Sequence, residues 1–141
     1  MISFEKGHDF HRFEIAITSL SSNTQRGIRN GWRKIGQELK EELIAETRKP
    51  KTGKLYRIKG KSHRASAPGE TAARITGRYG RSASYIPRQD ELEFGVSSPY
   101  GGYLEYGTKH MEPRPGLQNA IKAKQNTMPQ TMEAEIMRVL L

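Results

Sequence analysis

The sequence predicts a single α+β domain: a long N-terminal amphipathic helix packed on a small antiparallel sheet, with a projecting basic loop or hairpin and a C-terminal helix. Three patterns support this prediction. Apolar residues recur at helical spacing in the first third of the chain, short alternating segments follow near residues 81–96, and helical spacing returns at the end. The length of 141 residues is typical of one domain, so we take 1–141 as a single unit.

The first predicted elements are a strand and the long helix. Residues 13–17 alternate apolar side chains with others, which is the two-residue period of a half-buried strand. A helix then begins from an N-cap at Asn23 or Thr24 and ends near Thr47. Its apolar residues recur every three or four positions, at Ile28, Trp32, Ile35, Leu39 and Leu43.

Three glycines lie within this helix, at positions 27, 31 and 36. Each weakens a helix by about 1 kcal/mol relative to alanine. Two interpretations stay open for Gly27 and Gly31. They allow another element to pack closely, or they are tolerated in a helix that tertiary contacts hold in place.

A basic arm follows at residues 48–66. Residues 50–53 end the helix, and residues 54–59 predict a strand that enters a hairpin or a flexible loop. Leu55, Tyr56 and Ile58 are its only large apolar residues, so we expect the arm to project and to be mobile in the free monomer. Its basic residues are Arg48, Lys49, Lys51, Lys54, Arg57, Lys59, Lys61 and Arg64.

The positive charge of the chain is concentrated in one stretch. The formal net charge is +9, and residues 48–81 contain eleven lysines and arginines against one acid, Glu70. This stretch alone therefore carries +10, and the remainder carries −1. Such a block meets nucleic acid, an acidic protein surface or water.

The second half of the chain predicts a hairpin and a short helix. After a turn at 66–70 and a short helical or irregular piece, strands at 81–86 and 91–96 flank a polar turn at 88–90. Aromatic residues from Tyr100 to Tyr106 then favour a turn of helix, which Gly107 ends in a left-handed conformation.

The last predicted element is a long C-terminal helix. Residues 111–115 form its extended entry, and its apolar face runs from Leu117 to Val139. Pro129 is expected to kink or divide this helix, because proline removes a helical hydrogen bond. Residues 127–141 are its final segment.

Composition excludes several kinds of protein. The chain has no cysteine, so it has no disulfide, thiolate metal site or cysteine nucleophile, which fits synthesis in a reducing cytoplasm. No stretch is apolar for ~20 residues, and charged residues interrupt the first ten, so we expect neither a membrane span nor a signal peptide.

No residue pattern points to catalysis. Serines lack the G-x-S-x-G context of a nucleophile, and Gly53-Lys54 lacks the rest of a P-loop. His8 and His11 form an H-x-x-H pair, but only Asp9 lies nearby as a further ligand and the pattern around them is strand-like. We therefore expect no enzyme, no cofactor and no metal.

Two stretches of the chain each have a distinctive order of glycine, proline and arginine. Residues 64–82 read RASAPGETAARITGRYGRS, and residues 100–115 read YGGYLEYGTKHMEPRP. Together they resemble the "SAPGE, two small residues, TGRL, RS" and "PYAxYLExGTxxMxPRPFL" blocks of the neck and tail completion proteins of tailed bacteriophages, a family of head–tail joining or minor tail components. The residues that match are Pro68, Gly69, Glu70, Thr76, Gly77, Arg78, Ser82, Tyr100, Tyr103, Leu104, Glu105, Gly107, Thr108, Pro113, Arg114 and Pro115.

The resemblance implies a structural protein of the virion, made in the host cytoplasm. Such a protein assembles with itself into a ring, expected to be a hexamer, at the head–tail junction. Its neighbours there would be the head-side connector or stopper proteins and the tail terminator or tail tube protein. It would join the tail to the connector and line part of the DNA channel.

The chain departs from the resembled pattern at two positions. Tyr79 stands where leucine is usual, and Gly116 stands where phenylalanine is usual after Arg114-Pro115. The second change removes an apolar anchor for the last helix, and Leu117 and Met111 are the nearest residues that could replace it.

Three further expectations concern function. In a ring, the arm would face DNA phosphates or the acidic surfaces of adjoining rings, and any contact with DNA would not depend on its sequence. The alternative is a small basic module that binds nucleic acid without sequence preference. Glu105 and Arg114 are expected to pair and to fix the loop between Gly107 and Pro115.

Overall fold

A computed structural model describes the backbone of residues 2–6, 10–15 and 22–141 and the side chains of residues 22–141. The elements in chain order are β1 Ile2–Lys6, β2 Phe10–Ile15, α1 Ser22–Arg48, β3 Leu55–Ile58, β4 Lys61–Arg64, α2 Arg78–Arg81, β5 Ala83–Pro87, β6 Glu91–Val96, α3 Gly101–Tyr106, α4 Gly116–Lys124 and α5 Met128–Leu140. The predicted α+β architecture, with its long first helix on an antiparallel sheet, is confirmed.

The apolar stripe of α1 forms the centre of the core. Trp32, Ile35, Leu39 and Leu43 are fully buried, and Ile28 is 1% exposed. The predicted helix face is therefore correct. The predicted N-cap is wrong, because α1 already begins at Ser22. Several consecutive residues here are good N-caps, and the sequence alone does not choose between them.

The sheet is antiparallel throughout, in the order β1-β2-β6-β5. Leu92 and Phe94 of β6 are fully buried, as their alternation predicts. The strand predicted at residues 13–17 coincides with β2 at positions 13–15, and positions 16 and 17 lie outside the described residues. Arg81, predicted to start β5, instead ends α2.

The C-terminal region is two helices rather than one. Residues 125–127 separate α4 from α5, which confirms a division. Pro129 lies in the first turn of α5, where its missing N–H costs no hydrogen bond. Both helices pack on α1, and none of the described helices has the length and apolar character needed to cross a bilayer.

Glycines on α1 allow its neighbours to approach closely. A β-carbon on Gly27 would lie 2.8 Å from Ile136 Cα of α5, and one on Gly31 would collide with Met132 of the same helix. A β-carbon on Gly36 would likewise collide with Tyr85 of β5. Of the two interpretations of Gly27 and Gly31, the structure supports close packing.

We expect Gly27→Ala to destabilise the protein by about 1–3 kcal/mol, because the added methyl group would lie 2.8 Å from both Ile136 Cα and Val139 Cγ2, and the backbone atom cannot rotate away. Helix propensity alone predicts the opposite sign, since alanine favours a helix by about 1 kcal/mol over glycine. Urea unfolding measures the difference.

Arg33→Ala, at an exposed position of the same helix, is the matched control and should change stability by less than about 0.5 kcal/mol. A Gly27→Ala protein that is more stable than the wild type would show that α5 does not pack on Gly27.

Candidate interaction surface at the basic end

The C-terminal end of α1 anchors the basic arm. The Lys51 ammonium donates to the Glu46 carbonyl at 2.7 Å, which satisfies one of the open carbonyls at the helix end. Partial burial lowers the pKa of Lys51. The Lys49 ammonium donates to the Glu46 carboxylate and lies 3.9 Å from Glu42.

The arm is a β-hairpin. Of the two predicted forms, a hairpin or a flexible loop, the structure shows the hairpin. Strands β3 and β4 pair antiparallel, from Leu55 opposite Arg64 to Ile58 opposite Lys61. Lys59 and Gly60 connect them with φ values of 50° and 78°. Positive φ at both central residues is the type I′ geometry that matches the twist of a two-stranded ribbon.

The apolar residues of the arm contribute little to the core. Leu55 is 53% exposed and Tyr56 is 48% exposed. The Lys54 ammonium lies 5.3 Å from the centre of the Tyr56 ring, a weak cation–π contact at an exposed site. Projection of the arm fits this exposure, and its mobility stays a prediction.

Glu70 closes the base of the arm. Its carboxylate accepts hydrogen bonds from the Thr52 amide at 3.2 Å, from the Thr52 hydroxyl and from the Ala67 amide at 3.0 Å. These bonds, the hydroxyl first, lower the pKa of Glu70. The one acid within the basic stretch therefore joins the two ends of the arm.

A second carboxylate, Glu105, organises the other sequence block. It is 2% exposed and accepts from the Leu117 amide at 2.8 Å and the Gln118 amide at 3.2 Å. These amides are in the first turn of α4, where the donors lack partners within the helix and the helix dipole favours an anion. Glu105 therefore caps α4 from the neighbouring helix α3.

The predicted pairing of Glu105 with Arg114 is wrong, because the Arg114 side chain bonds to other described residues instead. Its Nε donates to Ser66 Oγ at 3.1 Å, and its Nη1 donates to the Glu112 carbonyl at 2.7 Å. Its amide donates to the Leu104 carbonyl. Arg114 thus links the second block to residue 66 of the first.

A backbone hydrogen bond also joins the two blocks, and helix α4, which follows the second block, adds two more bonds to the first. The Gly69 amide donates to the Pro113 carbonyl at 3.0 Å. The Asn119 side-chain amide of α4 donates to the Gly69 carbonyl and to Thr71 Oγ1, both at 3.0 Å. Residues 64–82 and 100–115 are far apart in sequence, yet they form one connected unit at the base of the arm.

Several of the matched residues set turns. Gly69, Gly77 and Gly107 have φ values of 86°, 80° and 77°, which favour glycine. Gly107 combines this φ with an extended ψ of 179°, so it is not the predicted left-handed helical cap. A β-carbon there would also lie 2.7 Å from the Met111 carbonyl oxygen. Both the φ angle and this close contact therefore require glycine at position 107.

Other matched residues hold these turns through local hydrogen bonds. Thr76 Oγ1 accepts from the Arg78 amide, and Ser82 Oγ donates to the Tyr79 carbonyl. Thr108 forms an isolated bridge with Met111. Their described contacts are structural.

Tyr79 and Gly116, the two residues that depart from the resembled pattern, lie next to each other. A β-carbon on Gly116 would lie 2.6 Å from the Tyr79 hydroxyl oxygen and 3.0 Å from Leu43 Cδ1. The tyrosine therefore occupies the space that a side chain at position 116 would need. Leu117 is 1% exposed within the core, whereas Met111 is only half-buried, so Leu117 is the apolar anchor of α4.

The Tyr79 hydroxyl is buried and has no hydrogen-bond partner among the described residues. Burial, followed by the nearby Glu105 carboxylate, raises the pKa of Tyr79 well above its usual value. A buried hydroxyl without a hydrogen bond lowers the stability of the folded protein. At this position the tyrosine ring fills the space, but its oxygen lacks a hydrogen-bond partner in the described part of the chain.

Tyr100, which precedes α3, and Tyr103 within it do not belong to the core. Tyr100 is 42% exposed and Tyr103 is 60% exposed, while Gly101 and Glu105 are the buried positions of this helix. Tyrosines exposed at one end of a domain are typical of contact surfaces. Their predicted interface role stays a prediction.

Ten of the eleven cations in residues 48–81 are exposed, and Lys51 is half-buried. Among residues 22–141, Lys49 is the one member of this set that forms an ion pair. Eight of them lie in the predicted arm, whereas Arg74 and Arg81 enter the sequence prediction only through their charge. The structure places Arg74 and Arg81 together beside Gly77, a juxtaposition that no spacing in the sequence indicates.

The described side chains contain no group of three or more His, Asp or Glu that could hold a metal ion. His8 and the side chain of His11 lie outside the described residues. The structure therefore does not test the H-x-x-H pair as a metal site. No family model, curated protein or solved structure matches this chain, and the likeness of the two blocks to a phage family stays a resemblance.

We expect acid to loosen the base of the arm. Because the folded pKa of Glu70 is below its ordinary value of 4.5, the hydrogen bonds of its carboxylate stabilise the arm base at neutral pH. That stabilisation is lost as the pH falls below 4.5 and through the lowered pKa. The protection factors of the Thr52 and Ala67 amides, which are their exchange rates corrected for the intrinsic effect of pH, should fall over this range.

Glu70→Gln should lower both protection factors at neutral pH, because a neutral amide oxygen accepts more weakly than a carboxylate, and it should remove the acid step. Glu112→Gln, at an exposed position, is the control and should keep the wild-type profile. A protection factor at Thr52 that does not change on acidification would contradict a role for Glu70 in closing the arm.

We expect Gly116→Ala to destabilise the protein by about 1–3 kcal/mol, because the new methyl group meets the Tyr79 hydroxyl. Tyr79→Phe should be neutral or stabilising, since it removes a buried oxygen without a partner. The double variant should recover part of the loss, and a double-mutant cycle from urea unfolding measures this coupling. Strict additivity would show that the two residues do not compete for one space.

Proposed function

We propose that this protein is a structural subunit of a ring at the head–tail junction of a long-tailed bacteriophage. In this proposal it acts by shape and charge complementarity rather than by catalysis. Its partners are other copies of itself, a head-side connector or stopper protein, and a tail terminator or tail tube protein. The ring, expected to be a hexamer, lines part of the channel for DNA in the virion.

The observation that supports this proposal most directly is the contact between the two resembled blocks. The Gly69–Pro113 and Arg114–Ser66 hydrogen bonds connect them, and Asn119 bridges to Gly69 and Thr71. Pairing of β5 with β6 brings the end of the first block near the start of the second, but these bonds join positions that lie well away from the hairpin. Blocks that form one structural unit in the fold are what a shared architecture requires.

The basic arm offers a second line of support. Its cations are largely exposed, and its Leu55 and Tyr56 are about half exposed, with no element of the described residues over them. An exposed apolar pair on a projecting hairpin is typical of a segment that packs on a neighbouring subunit. The surrounding cations suit an acidic neighbour or the phosphates of DNA in the channel.

The same cations favour a second candidate function. A small basic module that binds nucleic acid without sequence preference would also present unpaired, exposed lysines and arginines. The two candidates differ in what the arm does. In a ring it contributes to assembly, whereas in the module it contributes only to salt-dependent affinity for nucleic acid.

Light scattering behind a sizing column distinguishes the two candidates. The protein is run alone, with the connector and tail tube proteins of the same phage, and with duplex DNA over a range of salt concentrations. We expect a defined ring when the partners are present. Lys54→Gln/Arg57→Gln/Lys61→Gln should weaken this assembly.

Arg26→Gln/Arg33→Gln/Lys122→Gln is the matched control, because it removes the same charge from exposed positions outside the arm. It should assemble as the wild type does. A protein that stays monomeric with its partners, and whose DNA affinity has a salt slope that falls by about 0.9 for each arm cation removed, would be a nucleic-acid-binding module instead.

A further inference from the structure

A groove lies beside the base of the arm, between the end of α1, residues 72–80 and α3. Its volume is about 440 Å³. Ala72, Tyr79 and Leu104 line it and pack on the core. Ile75 and Tyr100 also line it and are 63% and 42% exposed. The groove is therefore open to solvent and has a largely apolar lining.

Arginines surround this apolar lining. Arg74 and Arg78 are part of the groove wall, and both are exposed. A β-carbon on Gly77 would lie 2.9 Å from Arg74 Nε and 3.2 Å from Arg81 Nη1, so these two guanidinium groups are neighbours. None of the three arginines forms an ion pair with a described residue.

Like charges held close together without a carboxylate leave their hydrogen-bond donors available. A guanidinium presents several N–H groups in a plane that matches a carboxylate. Tyrosine and arginine, which surround this apolar pocket, are also enriched among the residues that contribute most to binding at protein interfaces. The groove thus has the features of a docking site, and none of the described residues fills it.

We propose that this groove binds an acidic segment of a partner protein, with one large apolar side chain in the groove and flanking carboxylates on Arg74 and Arg78. Charge complementarity selects this occupant. The arm of a second copy is itself strongly cationic and would be repelled by the arginines. A nucleic acid would match the arginines but would leave the apolar lining formed by Ala72 and Leu104 without a counterpart.

This inference goes beyond the ring proposal and does not depend on it, because the groove is complete within one chain. A monomeric protein that ignores connector and tail tube would still be expected to bind an acidic apolar peptide. Failure of either proposal therefore leaves the other standing.

Fluorescence polarisation with labelled synthetic peptides tests the groove. The first probe is a short peptide of aspartate and glutamate with one central phenylalanine, and the second is the same peptide with alanine at the centre. We expect the phenylalanine peptide to bind more tightly. Arg74→Gln/Arg78→Gln should weaken its binding by about tenfold, as expected for the loss of charge-assisted contacts.

Two matched controls separate the groove from general charge and general stickiness. Arg26→Gln/Arg33→Gln removes the same charge from exposed positions of α1 and should keep nearly wild-type affinity. Ile75→Ser should weaken binding by about threefold. Ile86→Ser, at an isoleucine that is 44% exposed on β5, should not. All these positions are exposed, and an unchanged urea midpoint shows that each variant is folded.

Several results would overturn the inference. Equal losses in the two arginine double variants would reduce it to non-specific attraction, and equal binding of the two peptides would show that the apolar lining is not used. No binding of either peptide would also reject it. A single-stranded oligothymidine that displaces the peptide, and whose own binding depends on Arg74 and Arg78, would assign the groove to nucleic acid instead.

Discussion

The burial of one face of α1 is the interaction on which the described fold depends. Trp32, Ile35 and Leu39 are inaccessible to solvent, and β5, β6, α4 and α5 all pack around the helix that carries them. Glycines on the same helix let α5 and β5 approach so closely that a methyl group would not fit. The small intrinsic loss of helix stability at each glycine is offset by this packing.

Two carboxylates then position the candidate surface against this core. Glu105 is buried, and its cost of desolvation is compensated by two amides at the start of α4. Glu70 performs a related task at the surface, where it joins Thr52 to Ala67 and closes the arm. Both acids hold backbone amides with their carboxylate oxygens, and Glu70 forms no ion pair with the described cations of the arm.

The sequence predicted most of the elements because their signals are local. The stripe on α1 and the alternation along β6 come from residues a few positions apart, and the structure confirms both. Strand β1 was not predicted, and its pairing with β2 is a contact between segments that helical or strand periodicity does not specify. The start of α1 was misplaced because neighbouring residues cap a helix about equally well.

By itself, the sequence determined the fold class, the burial of the α1 face and the concentration of charge between residues 48 and 81. Only the tertiary structure decided how the two resembled blocks meet, which acid caps α4, and that Tyr79 occupies the space next to Gly116. It also decided that Arg74 and Arg81 lie together beside an apolar groove. The physical reason is that periodicity, propensity and charge are local along the chain, whereas these contacts join residues whose distance in space follows from packing on α1.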